Sequence, residues 1–74
     1  MYRVLYSQHA GNDLMKFEQK TAQRIIKKIL FFSLQKDPLS FAKKLSNFDI
    51  GQYRFRVGDY RVIFDIDHKG EIQI

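Results

Sequence analysis

The amino-acid sequence predicts an α+β domain in which two helices pack on one face of an antiparallel sheet, in the order β-α-α-β-β-β. Three features indicate this class. Residues 51–67 alternate like a β-hairpin, residues 20–34 repeat apolar side chains at helical spacing, and Gly58-Asp59 divides the hairpin segment at a turn. We expect residues 1–74 to form a single domain, because no repeat or Gly/Ser-rich linker divides them.

Composition and charge limit the classes of protein to which this chain can belong. The chain has 74 residues and no cysteine, so packing must stabilise it without disulfide bonds. A hydrophobic fraction of 45% is typical of a folded domain, and the net charge of +5 favours acidic or polyanionic partners. No apolar run approaches the length of a membrane span, and no signal-peptide pattern precedes the first strand. We therefore expect a cytoplasmic protein that does not bind membranes.

The first two elements follow from local patterns. Residues 2–6 alternate like a strand, and Ser7 suits the amino-terminal cap of a helix. Ala10, Leu14 and Phe17 then recur at helical spacing, which predicts a short helix despite a glycine inside it.

A longer second helix is predicted over residues 20–34. Its broad apolar face comprises Ala22, Ile25, Ile26, Ile29, Leu30 and Phe32. The dipeptide Asp37-Pro38 marks its end, because proline disfavours helical geometry in the residue before it. We interpret residues 39–50 as a packed connection. Its apolar anchors are Phe41, Leu45, Phe48 and Ile50, around the basic pair Lys43-Lys44.

The hairpin has a register that follows from counting outward from Gly58-Asp59 as a two-residue turn. The opposed pairs are then Val57 with Tyr60, Arg56 with Arg61, and Arg54 with Ile63. Because side chains alternate with period two, the strands have one apolar face and one cationic face. The apolar face carries Tyr53, Phe55, Val57, Tyr60, Val62, Phe64 and Ile66, and the other carries Arg54, Arg56 and Arg61. Like charges placed directly opposite destabilise a ladder, so Arg56 facing Arg61 indicates an anion-binding surface.

The arginine face also has a simpler interpretation. It could be a solvated sheet surface on which Asp65 pairs with Arg56 or Arg61, and Asp65 could equally repel a bound phosphate. Tyr53 and Tyr60 are predicted to pack in the core, since the register places them away from the arginines.

Further candidates lie outside the hairpin. Lys20, Arg24, Lys27 and Lys28 fall near one face of the second helix, where they could steer RNA. The candidate RNA-binding residues are Arg24, Lys27, Lys28, Lys43 and Lys44. An ordinary solvent-exposed helix face is the alternative for the helical residues. His9 and His68 are far apart and no cysteine accompanies them, so we expect no metal site and no cofactor.

The last predicted elements are a turn at residues 68–70 and a strand at residues 71–74. We expect the outer edge of this last strand to be open, so that a partner could add a strand there.

Two segments resemble the RelE/ParE superfamily of bacterial type II toxin–antitoxin toxins. One is Lys43-Lys44-Leu45, and the other reads Gly51-Gln-Tyr-Arg-Phe-Arg-Val-Gly-Asp-Tyr-Arg-Val-Ile-Phe. The resemblance covers nearly the whole chain, including the opening residues 7–14. It implies a RelE/ParE-like fold and a cognate antitoxin partner, which we expect to be acidic, partly disordered and placed over the basic groove.

The resemblance leaves the activity open between two branches. One branch consists of ribosome-dependent messenger RNA endonucleases, in which basic residues hold the scissile phosphate while the neighbouring ribose hydroxyl attacks it. Arg54, Arg56 and Arg61 match three of those positions and are the candidate catalytic residues. Arginine suits this role because its planar fork binds phosphate oxygens and stays charged at cellular pH.

The family usually supplies a further arginine and a tyrosine or histidine beyond the position that matches Ile74. The sequence therefore names a phosphate clamp without a general acid or base, and we expect reduced cleavage. The leading hypothesis is a RelE-like endonuclease acting on the ribosome and mRNA. The alternatives are a ParE-like DNA gyrase inhibitor and a catalytically inactive antitoxin-binding module. The sequence predicts no oligomeric state.

Overall fold

The computed structural model describes residues 2–46 and 50–74. Within these residues, five strands form one sheet, accompanied by two α-helices and a short 3-10 helix. The strands are β1 (Val4–Leu5), β2 (Ala42–Lys44), β3 (Tyr53–Val57), β4 (Tyr60–Ile66) and β5 (Ile72–Gln73). The helices are α1 (Gln8–Met15) and α2 (Gln19–Ser33), and the 3-10 helix spans Pro38–Phe41. The predicted α+β class is confirmed, with one strand more than the sequence indicated.

The strands are arranged in the order β1-β5-β4-β3-β2. All neighbours are antiparallel except β1 and β5, which run parallel with Val4 opposite Ile72, so the sheet is mixed. The expectation of an open outer edge on the last strand is wrong. The N–H of Ile72 donates to the carbonyl of Arg3 at 2.8 Å, while the other side of β5 pairs with β4. The amino-terminal strand β1 therefore covers the edge of β5 that was expected to be open.

The hairpin of β3 and β4 has the register that counting predicted. Val57 lies opposite Tyr60, and Arg56 lies opposite Arg61. Gly58 has a φ of +60°, whereas no described residue other than glycine has a positive φ. A positive φ at the first turn position alone is the pattern of a type II′ turn, whose twist matches that of the flanking strands.

The core is an aromatic and aliphatic cluster between α2 and the sheet. The ring of Phe55 lies 4.7 Å from that of Phe32 on α2 and 4.3 Å from that of Phe64 on β4, measured between centroids. The buried apolar residues are Ile25, Ile29, Phe32, Phe55, Val57, Val62, Phe64 and Ile72. The members from the hairpin all come from the predicted apolar face, so the helices cover that face and leave the arginine face uncovered.

The apolar face of α2 is narrower than predicted. Ile25 and Ile29 are buried against the sheet, but Ile26 and Leu30 are 41% and 55% exposed. A helix lying on a sheet buries only the stripe that meets the strands, and residues one position further round face outward.

Residues 39–50 contain more structure than the predicted packed connection. Pro38 begins the 3-10 helix, and the chain then forms β2, with Ala42 opposite Phe55. Two of the predicted anchors, Phe41 and Ile50, are largely exposed, and Phe48 lies outside the described residues. A three-residue strand with two lysines has weak strand propensity, and it forms here because β3 supplies its hydrogen-bonding partner.

Each of the two helix termini next to β1 has a hydrogen bond that satisfies one of its backbone groups. The Ser7 hydroxyl accepts from the N–H of Ala10 at 3.0 Å, which confirms the predicted cap. At the end of α2, the carbonyl of buried Ser33 accepts the N–H of Tyr2 at 3.0 Å. In the described part of the chain, no helix is long and apolar enough to cross a membrane.

Gln52 joins three strands just before β3. Its carbonyl accepts the N–H of Leu45 at 2.8 Å, and its side-chain carbonyl accepts the N–H of Ile66 at 3.1 Å. Its own N–H donates to Oδ1 of Asp65 at 2.8 Å. The neighbouring Gly51 is buried so closely against β4 that an added Cβ would clash with Cγ2 of Ile63.

Substitution Gly51→Ala should therefore lower the free energy of unfolding by about 1–3 kcal/mol, because the stiff β-branched side chain of Ile63 must move. Gly11→Ala is the matched control, since nothing lies within 4 Å of a Cβ at that helical position. That substitution should raise the same quantity by about 0.5–1 kcal/mol. Urea denaturation measures the free energy of unfolding of both variants. Equal effects of the two substitutions would contradict the close packing of Gly51 against Ile63.

Asp67 closes the turn between β4 and β5. Its Oδ1 accepts the N–H groups of Lys69 and Glu71, both at 2.9 Å, and its Oδ2 accepts Nε2 of Gln73 at 2.9 Å. The pKa of Asp67 is lowered from 3.8, chiefly by the hydrogen bond from the Glu71 N–H and then by that from Gln73. The charged carboxylate thus stabilises the turn.

The contribution of Asp67 to stability should be present above the ordinary carboxyl pKa of 3.8 and be lost as the pH falls through its lower folded value. Asp67→Asn should be less stable than the unaltered chain at neutral pH, and the gap should narrow in acid. Denaturation midpoints measured from pH 7 downward test this. A gap that stays constant with pH would show that the carboxylate charge is irrelevant to the turn.

Candidate functional site

The face of β2, β3 and β4 opposite the helices carries four cations. Arg54, Arg56 and Arg61 alternate with the buried residues of the hairpin, and Lys43 joins them because β2 places it directly opposite Arg54. We call these four residues the cationic face. The sequence named all four as candidates but could not group Lys43 with the arginines, since β2 was not predicted.

Arg56 and Arg61 lie directly opposite each other on the cationic face. In a two-residue hairpin the first pair beside the turn exchanges hydrogen bonds, so the next pair, Arg56 and Arg61, is a non-hydrogen-bonded pair. The Cα atoms of such pairs typically lie about 4.5 Å apart. Nε of Arg56 donates to the Gly58 carbonyl at 3.2 Å, which directs this side chain toward the turn. Among the described residues, no carboxylate lies within ion-pair distance of either guanidinium.

The opposite end of the cationic face is formed by Arg54 and Lys43. Arg54 is half-buried between Lys43 on β2 and Ile63 on β4, whereas Lys43, at the sheet edge, is exposed. Partial burial limits the rotamers of Arg54. Its side chain should therefore lose less conformational entropy when it binds a ligand than the side chain of a fully exposed arginine would.

Asp65 shares this side of the sheet but pairs with the backbone. Its Oδ1 accepts the Gln52 N–H, and no ion pair joins it to an arginine of the cationic face in the described structure. The interpretation of a surface neutralised by Asp65 therefore has no ion pair to support it.

The hairpin tyrosines lie on the helix side, as predicted. The ring of Tyr53 stacks on Phe64 with centroids 5.6 Å apart, and that of Tyr60 meets Phe17 edge-on at 4.9 Å. On the cationic face itself, the described strands β2 to β4 present no tyrosine or histidine.

The remaining candidate cations do not join the cationic face. Arg24 approaches the hairpin tip from the helix side, where its Nη2 would lie 3.2 Å from a Cβ added to Gly58. Lys44 is opposite Tyr53 and therefore faces the helix side. Lys27 is exposed on α2, and Nζ of Lys28 lies 5.0 Å from the ring centroid of Phe31. Sequence reasoning missed this last contact because it considered charge and aromatic residues separately.

Replacing Arg61 with glutamine should raise the free energy of unfolding by about 0.2–1 kcal/mol at low ionic strength, because it removes a like charge opposite Arg56. The gain should shrink near 1 M salt, where the screening length is about 3 Å. Arg3→Gln is the control, because Arg3 has a partner in Glu71 at 3.6 Å and its loss should bring no gain. Equal effects of both substitutions in thermal denaturation would rule out repulsion across the hairpin.

Comparisons with known proteins identify the family. A family model described as the ParE toxin of type II toxin–antitoxin system, parDE, matches residues 4–74. No curated protein matches the chain. The matched range includes every strand and helix described above. Toxins of such systems have a cognate antitoxin as their partner. The chain therefore belongs to the ParE toxin family, within the RelE/ParE superfamily of type II toxin–antitoxin systems.

Proposed function

We propose that this toxin acts in the cytoplasm as a RelE-like endonuclease on ribosome-bound mRNA, with the cationic face as its phosphate clamp. The observation that carries the proposal is the grouping of Lys43, Arg54, Arg56 and Arg61 on one uncovered face without a described carboxylate partner. Maintaining such a surface costs stability, and a polyanionic ligand offsets that cost when it binds.

In this mechanism Arg56 and Arg61 hold the oxygens of the scissile phosphate. The adjacent ribose 2′-hydroxyl attacks the phosphorus and loses its proton to water, while the bond to the 5′-oxygen breaks and that oxygen takes up a proton from water. Negative charge builds on the phosphoryl oxygens in the transition state. Two arginine forks placed across one hairpin can donate to those oxygens from both sides. Arg54 and Lys43 bind the adjoining backbone.

Proton transfer limits the expected rate. Arginine stays protonated at cellular pH, so the clamp supplies binding and charge stabilisation but no general base. With no tyrosine or histidine on the described cationic face, we expect cleavage to be slow unless the ribosome orients the reacting groups.

The cognate antitoxin neutralises the toxin in this proposal by covering the cationic face. The antitoxin should be acidic, because a positive surface that has no ion pair among the described residues favours an oppositely charged partner and increases its association rate.

A DNA gyrase inhibitor is the second candidate function. The family description, which names a ParE toxin, favours it. The same four cations would then contact an acidic surface of gyrase or the DNA backbone. A third candidate, an inactive module that only binds antitoxin, follows from the missing proton-transfer groups on the described face.

Induction of the chain in cells beside an Arg54, Arg56 and Arg61 triple alanine variant separates these functions. The unaltered chain should arrest growth and create new mRNA ends on ribosomes, and the variant should do neither, because the phosphate clamp is gone. A matched control replaces Lys16, Lys36 and Lys69 with alanine, which removes the same charge from exposed positions elsewhere. This control should remain toxic.

The other outcomes of this experiment each favour a different function. Growth arrest without new RNA ends, together with co-purification of gyrase, would overturn the endonuclease in favour of the gyrase inhibitor. Soluble, folded protein that causes no arrest would overturn both toxic activities. In a ribosome cleavage assay, Arg61→Lys should be about 10²- to 10³-fold slower than the unaltered chain, because lysine keeps the charge but loses the fork.

A further inference from the structure

Two exposed phenylalanines meet at the corner between α2 and the 3-10 helix. Phe31 and Phe41 are 48% and 47% exposed, which is high for aromatic residues, and their ring centroids are 6.4 Å apart at an interplanar angle of 70°. Phe41 stacks on buried Phe32 with centroids 5.2 Å apart and an angle of 27°. The core therefore fixes the orientation of Phe41 while leaving much of the ring accessible.

Lys28 completes this corner. Its Nζ lies 5.0 Å from the centroid of Phe31 and 5.3 Å from that of Phe32, which is the range of cation–π contacts. No described carboxylate lies within ion-pair distance of this ammonium group. We call Lys28, Phe31 and Phe41 the aromatic corner.

The aromatic corner adjoins the cationic face through β2. Phe41 directly precedes β2, and Lys43 follows two residues later on the cationic face. Two residues of extended chain span at most about 7 Å, so the backbone positions of Phe41 and Lys43 are close, with the Phe41 ring on the helix side and Lys43 on the cationic face. In the described sheet β2 is an edge strand, and a flexible ligand can pass around it.

Single-stranded nucleic acid has the chemistry that fits both surfaces. Its unpaired bases offer flat faces for stacking on aromatic rings, and its phosphates pair with lysine and arginine. A duplex fits less well, because its bases are already stacked. A purely apolar partner would use the rings but not the lysine, and the exposed aliphatic residues Ile26, Leu30 and Leu34 line a separate groove beside β1.

We propose that the aromatic corner stacks a base of single-stranded RNA whose backbone continues around β2 onto the cationic face. This inference rests on the proposed RNA-directed function and adds a binding site to it. Phe31 and Phe41 contact the base, and Lys28 contacts the neighbouring phosphate.

The test is fluorescence anisotropy of a labelled, unstructured RNA dodecamer titrated with the protein at several salt concentrations. The double variant Phe31→Leu, Phe41→Leu keeps apolar volume but removes the flat rings. Its affinity should fall about 5- to 150-fold, the effect of losing one stacked base. The dependence of affinity on salt should be unchanged, because no charge is lost.

Two controls define the interpretation. Phe17→Leu changes an exposed aromatic residue outside the corner and should bind RNA as the unaltered chain does. Lys28→Gln should weaken binding and reduce the slope of log affinity against log salt by about one. Thermal denaturation of each variant verifies that it is folded.

Normal affinity of the folded leucine double variant would overturn base stacking. Equal affinity for the dodecamer and for the same RNA in a duplex would also overturn it. If RNA affinity falls when Phe31 and Phe41 are both replaced by alanine but not when both are replaced by leucine, the corner needs only apolar volume, which would indicate apolar docking of a protein. If base stacking is overturned in one of these ways but the double variant Arg56→Gln, Arg61→Gln no longer binds RNA, the RNA-directed function stands. No RNA binding by the unaltered chain, or binding indifferent to the two arginines, would overturn both proposals.

Discussion

The packing of Phe32 on Phe55, and of Phe55 on Phe64, is the interaction on which the rest of the structure depends. These three rings join α2 to β3 and β4 with centroid separations of 4.7 and 4.3 Å. Because strand side chains alternate with period two, burying Phe55 and Phe64 forces the arginines between them onto the opposite face. A register slip of one residue would place those arginines in the core, so the aromatic packing also fixes the position of the cationic face.

The fold maintains the cationic face despite the repulsion between its like charges. Arg56 lies opposite Arg61, and Arg54 lies opposite Lys43, so each of two cross-strand positions sets like charges together. The burial of the aromatic face of the same strands offsets this repulsion. Sites that bind polyanions commonly reduce stability in this way, since the charge that attracts the ligand repels itself in its absence.

The short strand β2 connects the cationic face with the aromatic corner. Its Lys43 extends the cationic face, and the residue before it, Phe41, belongs to the aromatic corner. A fold shared by toxins with different targets does not determine the target, so such surface features must carry the argument for function. The single-stranded polyanion proposed above depends on the juxtaposition of stacked phenylalanines with cations that have no carboxylate partner among the described residues.

Local patterns in the sequence determined the cap at Ser7, the hairpin turn at Gly58 and the division of residues 53–66 into two faces, because each depends on neighbours within a few residues. The register and most of α2 follow for the same reason. The parallel pairing of β1 with β5, the existence of β2 and the exposure of Phe41 were decided only by the tertiary structure. Each depends on partners distant in the chain, and a weak strand such as β2 forms only when a neighbouring strand supplies its hydrogen bonds.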